Sequence, residues 1–420
     1  MKSLAKKESF MRIRWFQIVF LLLVFGGTAG AMACAATDEI RELRAQVASL
    51  TGLVEQLSGR LALLENRAGA PGAVGPVPAV TSLPVATRPS SGTGGGYQNM
   101  NPDISVAGVA IGKWSDDKRD PERNTIGLEA SEVVFTKNIS PYSRGNLTLG
   151  FHGDHAEVEE GFIDVAHVLP GRLEARIGKF LVPTGVLNTI HPHDWPMVAR
   201  PLVLEEFMGS DGLNEHGLTL STPIDLQSKT YLKAGFDVLS GKNTALFNNG
   251  QTRVLGGRMQ SNTPLNARDD LNVGMNYHQG AWNARGDLSS RLLGADVMWR
   301  RRFGQFSRLA LWGEWLQNQR ERLGMGDLTA RGYYLNALYS FKRDRNWHVG
   351  VAYDCTEKPT DVRLNLIGKS AYVGYWLTEN DRLQLQYRHK RDPFRGVSNN
   401  ELLIEMIWGM GPHKPHLANF

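Results

Sequence analysis

The chain has 420 residues, enough for one large barrel or several small domains. Its formal net charge of +5, from 47 basic and 42 acidic residues, is too small an excess to imply a nucleic-acid partner. Two cysteines, Cys34 and Cys355, exclude a disulfide framework; beyond the N-terminus no apolar run is long enough for a spanning helix, and no phosphate-cradling or dinucleotide-binding motif stands in the strand–helix context it needs.

Residues 1–36 have the layout of a secretory signal peptide. Lys2, Lys6, Lys7, Arg12 and Arg14 precede an apolar core at 18–25 (IVFLLLVF), and small residues follow at 31–36. Met11 is an alternative start. Two processing readings stand side by side: cleavage after Ala33, Ala35 or Ala36, or lipidation of Cys34 in the lipobox-like Ala31-Met32-Ala33-Cys34, which lacks the usual leucine. Residues 37–67 then carry Ile40, Leu43, Val47, Leu50, Val54, Leu57, Leu61 and Leu64 at alternating spacings of three and four, the a/d seam of a coiled coil. Gly52 and Gly59 on its flanks weaken the helix. The Gly-, Pro-, Ala- and Ser-rich stretch 68–99 cannot bury a core and reads as a linker.

From residue 100 to 420 the dominant signal has period 2. In 381–389 (DRLQLQYRH), Leu383, Leu385 and Tyr387 face one way and Arg382, Gln384, Gln386 and Arg388 the other. Similar strands are predicted at 103–113, 127–138, 143–153, 156–168, 171–180, 216–224, 228–238, 252–260, 270–278, 289–301, 306–317, 330–343, 346–354, 369–377, 381–389 and 400–409; the fourth, eighth and ninth alternate poorly. Connections after even-numbered strands are mostly short. Those after odd-numbered strands (114–126, 181–215, 239–251, 279–288, 318–329, 355–368 and 390–399) are mostly long and polar, with exceptions near Asp154 and at 261–269. About sixteen alternating strands with that asymmetry predict an all-β fold, a closed antiparallel transmembrane barrel with short periplasmic turns and longer outer loops. An even count puts both ends of the barrel in the periplasm, with the coiled coil. Trp299, Tyr333, Phe341, Trp347, Tyr353 and Trp408 near strand ends suit interfacial girdles.

Residues 176–185 (RIGKFLVPTG), His191-Pro192-His193-Asp194, Arg200-Pro201-Leu202-Val203 and 212–217 (GLNEHG) resemble porin-like outer-membrane proteins related to the phosphate-selective porins, as do 101–105 (NPDIS) and 407–416 (IWGMGPHKPH). The resemblance implies a 16-stranded trimeric porin whose third outer loop, here 181–215, folds into the lumen and constricts it. The phosphate-selective pattern has a basic third loop. This one has Arg200 as its one basic residue besides histidines, beside Asp194, Glu205, Glu206, Asp211 and Glu215, which puts phosphate as the solute in doubt.

Strand parity turns Arg172, Glu174, Arg176, Asp296, Arg300, Arg308, Glu314, Arg382, Arg388 and Glu405 toward water. The arginine excess points to a weak anion preference, against the blander reading in which Arg–Glu pairs only solvate the wall. His191 and His193 are weak metal-ligand candidates, since an H-x-H pair supplies two imidazoles and no third ligand; His413 and His416 stand on the same footing. The expectation is thus no resident metal or cofactor. No nucleophile elbow or fixed acid–base pair accompanies Asp194, Glu205 and Glu206, so an enzyme is not expected. The expected partners are outer-membrane lipid, small hydrophilic solutes and two further copies of the chain. The rivals are an envelope tether acting through the coiled coil, which would need an envelope partner, and a metal-uptake barrel using the His191/His193 loop.

Overall fold

The computed structural model describes residues 101–153, 155–166, 172–247, 250, 252–342, 346–412 and 420. The expected signal peptide, coiled coil, linker, Cys34, His413 and His416 lie outside the described residues. Sixteen strands follow in order: β1 (Asp103–Ser115), β2 (Thr125–Ser140), β3 (Ser143–His152), β4 (His155–Val165), β5 (Glu174–Leu181), β6 (Asn214–Ile224), β7 (Tyr231–Leu239), β8 (Val254–Pro264), β9 (Asp269–Ala281), β10 (Ser289–Phe303), β11 (Ser307–Arg322), β12 (Met325–Phe341), β13 (Trp347–Lys358), β14 (Asp361–Trp376), β15 (Asp381–Asp392) and β16 (Val397–Met410). Each pairs antiparallel with its sequence neighbours, and β1 closes the barrel on β16 from Val106↔Met410 to Ser115↔Glu401.

Burial is inverted relative to a water-soluble protein. His278, Asn318, His348 and Arg382 on the inner face are 0% exposed, whereas Ile177, Phe236, Leu255 and Val351 on the outer face are at least 50% exposed. A closed sheet with a polar interior and an apolar exterior has the surface chemistry of a barrel that sits in lipid. Aromatic side chains gather in two groups on the stretch of wall from β10 to β14. Phe303, Tyr339, Phe341, Trp347 and Tyr375 gather toward the short-turn end, with Tyr339 stacked on Phe341 at 5.6 Å and Trp347 against Tyr375 at 4.6 Å. Tyr333 and Tyr353, 6.2 Å apart, mark the other rim.

Three segments expected as long outer loops are instead mostly strand. β11 and β12 meet across residues 323–324, β13 and β14 across 359–360, and β15 and β16 across 393–396. Past the outer aromatic rim both faces of a strand meet water, so the hydrogen-bonded ladder continues while the alternation that announces it stops. The connection expected at 261–269, at the other end of the barrel, shortens to 265–268 and joins the other short turns. The poor alternation of β4 has another cause. Its pairing with β3 slips between Thr148↔Glu160 and Leu149↔Val158, a bulge that leaves Glu159 without an opposite number and shifts the phase of the strand.

Candidate functional site

The connection between β5 and β6, residues 182–213, runs across the barrel interior and is bonded to its far wall. Its neck is closed by Asn188, whose side-chain amide donates to Val182 O (2.8 Å) and Leu213 O (3.1 Å) while its Oδ1 accepts from Leu213 N (2.8 Å). Glu314 on β11 accepts the backbone N–H groups of Val186 (2.5 Å) and Leu187 (3.0 Å), and also the hydroxyl of Tyr334 on β12 (2.6 Å). On β15, Arg382 donates through one nitrogen to His193 O (2.7 Å) and Trp195 O (2.8 Å), and Gln386 Oε1 accepts from Val198 N (2.7 Å) and Ala199 N (2.9 Å). These bonds satisfy backbone groups that an irregular segment would otherwise bury unpaired.

Apolar packing fixes the same segment. Leu187, Trp195, Met197, Leu204, Phe207 and Met208 are buried with Trp312, Leu316, Tyr334, Leu338 and Tyr372 on the inner faces of β11, β12 and β14. The short helix α1 (Leu202–Met208) lies against β12, β13 and β14. Each fully buried Leu or Phe contributes about 1.5–3 kcal/mol, so this loop is held as a small core inside the barrel.

One edge of the loop carries a compact polar cluster. His191, Pro192, His193 and Asp194 form a 3-10 turn in which Asp194 N donates to His191 O (2.9 Å) and Trp195 N to Pro192 O (3.0 Å). The two imidazoles stack at 5.6 Å between centroids. Both direct Nδ1 at one carboxylate on β2: His191 Nδ1 lies 3.2 Å from Glu132 Oε2, and His193 Nδ1 lies 3.3 Å from Glu132 Oε1. His191 Nε2 meets Glu160 Oε2 at 3.0 Å, and Glu160 Oε1 accepts Leu181 N at 2.8 Å. The β4 bulge brings Glu159 to the same side, with Oε2 3.7 Å from His191 Nδ1 and Oε1 2.9 Å from His152 Nε2. Burial alone would depress the His191 pKa; Glu132 and Glu160 outweigh it and hold the imidazole well above its ordinary range. Elsewhere on the loop, burial lowers the Arg200 guanidinium and raises the Glu206 carboxyl.

The residues singled out from the sequence fall into three groups. His191, His193, Arg382, Glu314 and Asp194 belong to the loop or its anchors; Asp194 is buried in the 3-10 turn, and Glu405 accepts from Gln384 beside Arg382 at 2.5 Å. A second group is paired along the inner wall. Arg176 forks onto Asp164 (2.7 and 2.9 Å), Arg300 reaches Asp270 (2.7 Å), Arg388 bonds Glu401 (2.7 Å), Lys233 meets Glu174 (2.7 Å), and Asp296 takes a fork from Arg258 (2.6 and 2.9 Å). Arg308 donates to the backbone oxygen of Phe420, whose ring lies 4.9 Å from that of Trp312. The third group lies apart. Arg172 is exposed in the turn before β5, with φ +62°, rather than on the strand; Glu205 is on the exposed side of α1; and Arg200 lies over the Trp195 ring at 5.2 Å with its guanidinium bonded to Ser210 O. Glu132, Glu159 and Glu160 went unremarked in the sequence, because carboxylates on the inner face of a strand look like ordinary solvated positions.

A cavity of about 730 Å³ lies between the loop and the inner faces of β1–β6. Glu129, Glu132, Glu157, Glu159, Asp211 and Glu405 line it, against Lys179, Arg200 and Lys242. A second cavity of about 310 Å³ separates Gly185–Val186 and Thr189–Ile190 from β7–β10.

No family model matches the chain. A protein of Aquifex aeolicus (strain VF5) that carries the name "uncharacterized protein" is 26% identical over 342 residues, 70% of each chain. Among solved structures, the anion-selective porin from Comamonas acidovorans superposes with a TM-score of 0.52 at 14% identity, over 74% of this chain and 100% of that one. The outer membrane channel DcaP of Acinetobacter baumannii gives 0.50 at 9% identity over 74% and 98%, and the trimer form of Vibrio cholerae OmpT gives 0.50 at 12% over 74% and 99%. At these identities the likeness is one of fold: the barrel is built like those of outer-membrane porins and channels.

Proposed function

We propose that the protein is a passive channel of a bacterial outer membrane, through which small hydrophilic solutes diffuse past the loop 182–213. One observation carries this reading: the burial pattern is inverted around a closed sixteen-stranded wall, with polar side chains inside and apolar ones outside. Sixteen strands enclose a lumen too wide for wall side chains alone to fill. The loop's bonds to β11 and β15 support its role as the constriction, with the open path on the β1–β6 side. The trimer is proposed by analogy with the trimer form of the Vibrio OmpT. Of the phosphate-selective likeness only the barrel enters this proposal.

The charge of the open path supports cations rather than the anions that the arginine excess suggested. Of those arginines, Arg176, Arg300 and Arg388 are engaged with carboxylates on neighbouring strands, where paired charges contribute little net field, and Arg308 and Arg382 bond backbone oxygens. Around the larger cavity six carboxylates face two lysines and one arginine, with four histidines beside them. The refolded full-length protein in a planar bilayer is expected to give discrete open-channel steps, with a reversal potential of cation-selective sign across a salt gradient. Absence of steps would overturn the channel reading, and an anion-selective potential would overturn the charge assignment alone.

A further inference from the structure

The cluster where the loop meets β2 and β4 has a composition that water-filled walls do not require. Three carboxylates, Glu132, Glu159 and Glu160, surround His191, with donor atoms at 3.0–3.7 Å from its ring nitrogens. Even with the imidazole protonated the group is net negative. No third ligand stands near His191 and His193 in the chain, because the third residue is 59 positions upstream of the first histidine, on strand β2. The fold supplies it: one donor atom each from Glu132, His191 and His193 lies within 4.8 Å of the other two.

We propose that Glu132, His191 and His193 form a binding site for a divalent transition-metal cation of the zinc class, which joins the loop to the barrel wall. This goes beyond channel function and does not depend on it. Three features carry it. First, the spacing fits. Metal–nitrogen and metal–oxygen bonds of about 2.0–2.2 Å in a tetrahedral site set donor–donor edges of about 3.3–3.6 Å; His191 Nδ1 stands 3.2 Å from Glu132 Oε2 and His193 Nδ1 3.3 Å from the other oxygen, Oε1, with one donor atom of each residue inside 4.8 Å of the rest.

Second, the outer partner is in place. Metal-bound histidines generally hold a carboxylate or carbonyl on the nitrogen that does not face the metal. His191 Nε2 meets Glu160 at 3.0 Å, and Glu160 is itself fixed by Leu181 N. Glu159, which the β4 bulge turns inward, stands close enough to serve as a fourth ligand or to hold a metal-bound water. Third, the ligands are pre-positioned. The 3-10 turn spaces the two imidazoles, and Arg382 clamps the carbonyls of His193 and Trp195 from β15. Two imidazoles and a carboxylate suit zinc, copper or nickel; magnesium and calcium prefer sites built of oxygen alone.

The test is calorimetric titration of Zn²⁺ into chelator-stripped full-length protein folded in detergent, a readout that needs no conductance. One equivalent per chain is expected, with no displacement by a large excess of Mg²⁺. Glu132→Gln keeps the side-chain shape and is expected to abolish stoichiometric binding, as is His193→Ala; Glu160→Gln is expected to weaken binding about 10–100-fold through the outer contact. Far-ultraviolet circular dichroism and heat-modifiable gel mobility check that each variant is folded. If His193→Ala does not fold, the isosteric Glu132→Gln decides alone. No saturable binding to the parent protein would overturn the proposal. So would binding unchanged in Glu132→Gln, which would place the metal elsewhere on the chain, or equal competition by Mg²⁺, which would reduce the cluster to a generic acidic surface.

Discussion

Tyr334 donates its hydroxyl hydrogen to Glu314 Oε1 at 2.6 Å, and that same oxygen receives the backbone N–H groups of Val186 and Leu187. A single buried carboxylate thus joins two wall strands to the start of the loop that crosses the barrel. Glu314→Ala orphans three donors at once, each at about 1–3 kcal/mol. The expected result is release of residues 182–213, read as new protease cleavage within that segment and a larger unitary conductance. Unchanged cleavage and conductance would mean that the apolar packing alone holds the loop.

The residue before that contact has no room for a side chain. Gly185 sits at φ +62°, and a Cβ there would lie 1.9 Å from Glu314 Oε2. Gly185→Ala combines a left-handed backbone cost of about 1–2 kcal/mol with displacement of the anchor. It is expected to give the same cleavage pattern as Glu314→Ala, and the double variant should be little worse than either alone, because the two act on one contact.

Along the inner wall, Arg258 and Asp296 form a two-pronged pair with both side chains under 10% exposed. Asp296→Ala leaves a buried guanidinium without its main partner and is expected to cost about 3–5 kcal/mol in unfolding free energy. Urea titration of the folded barrel in lipid measures this. Replacing both residues by apolar ones of similar size should restore much of the loss; if it does not, the pair contributes more than charge neutralisation.

Selectivity should respond to carboxylates outside the histidine cluster. Glu129 and Glu157 line the larger cavity without contacting His191 or His193. Converting both to Lys reverses two charges beside the open path. The zero-current potential across a salt gradient is expected to move toward anion selectivity, and the change should shrink at high ionic strength as screening shortens.

Strand number and closure were legible in the sequence wherever one face had to be apolar and the other wet. Leu383, Leu385 and Tyr387 against Arg382, Gln384 and Gln386 are enough to fix β15. Legibility ended where that contrast ended, in the outer extensions of β11–β16, whose residues meet water on both sides. The loop's docking face also left a trace. Trp312 and Leu316 share the inner face of β11 with Glu314, and apolar residues on both faces of one strand signal that protein, not solvent, covers the interior there. The polar cluster left only its H-x-H pair, because Glu132 and His191 come together only when the loop folds back across the barrel, and no local spacing encodes that distance.

The irregularity in β4 has a consequence of its own. In an unbroken ladder Glu159 would oppose Leu149 and point into lipid, and Val158 and Glu157 would exchange sides. By standing outside the pairing, Glu159 acts as an insertion that cancels its own frameshift. Excising that one residue should therefore leave every remaining side chain of the strand on the face it now occupies. The barrel would close as before, with one acid fewer beside His191, whereas excising Val158 would leave the strand to choose between a mispaired register and a carboxylate opposite Leu149, turned to the wrong medium.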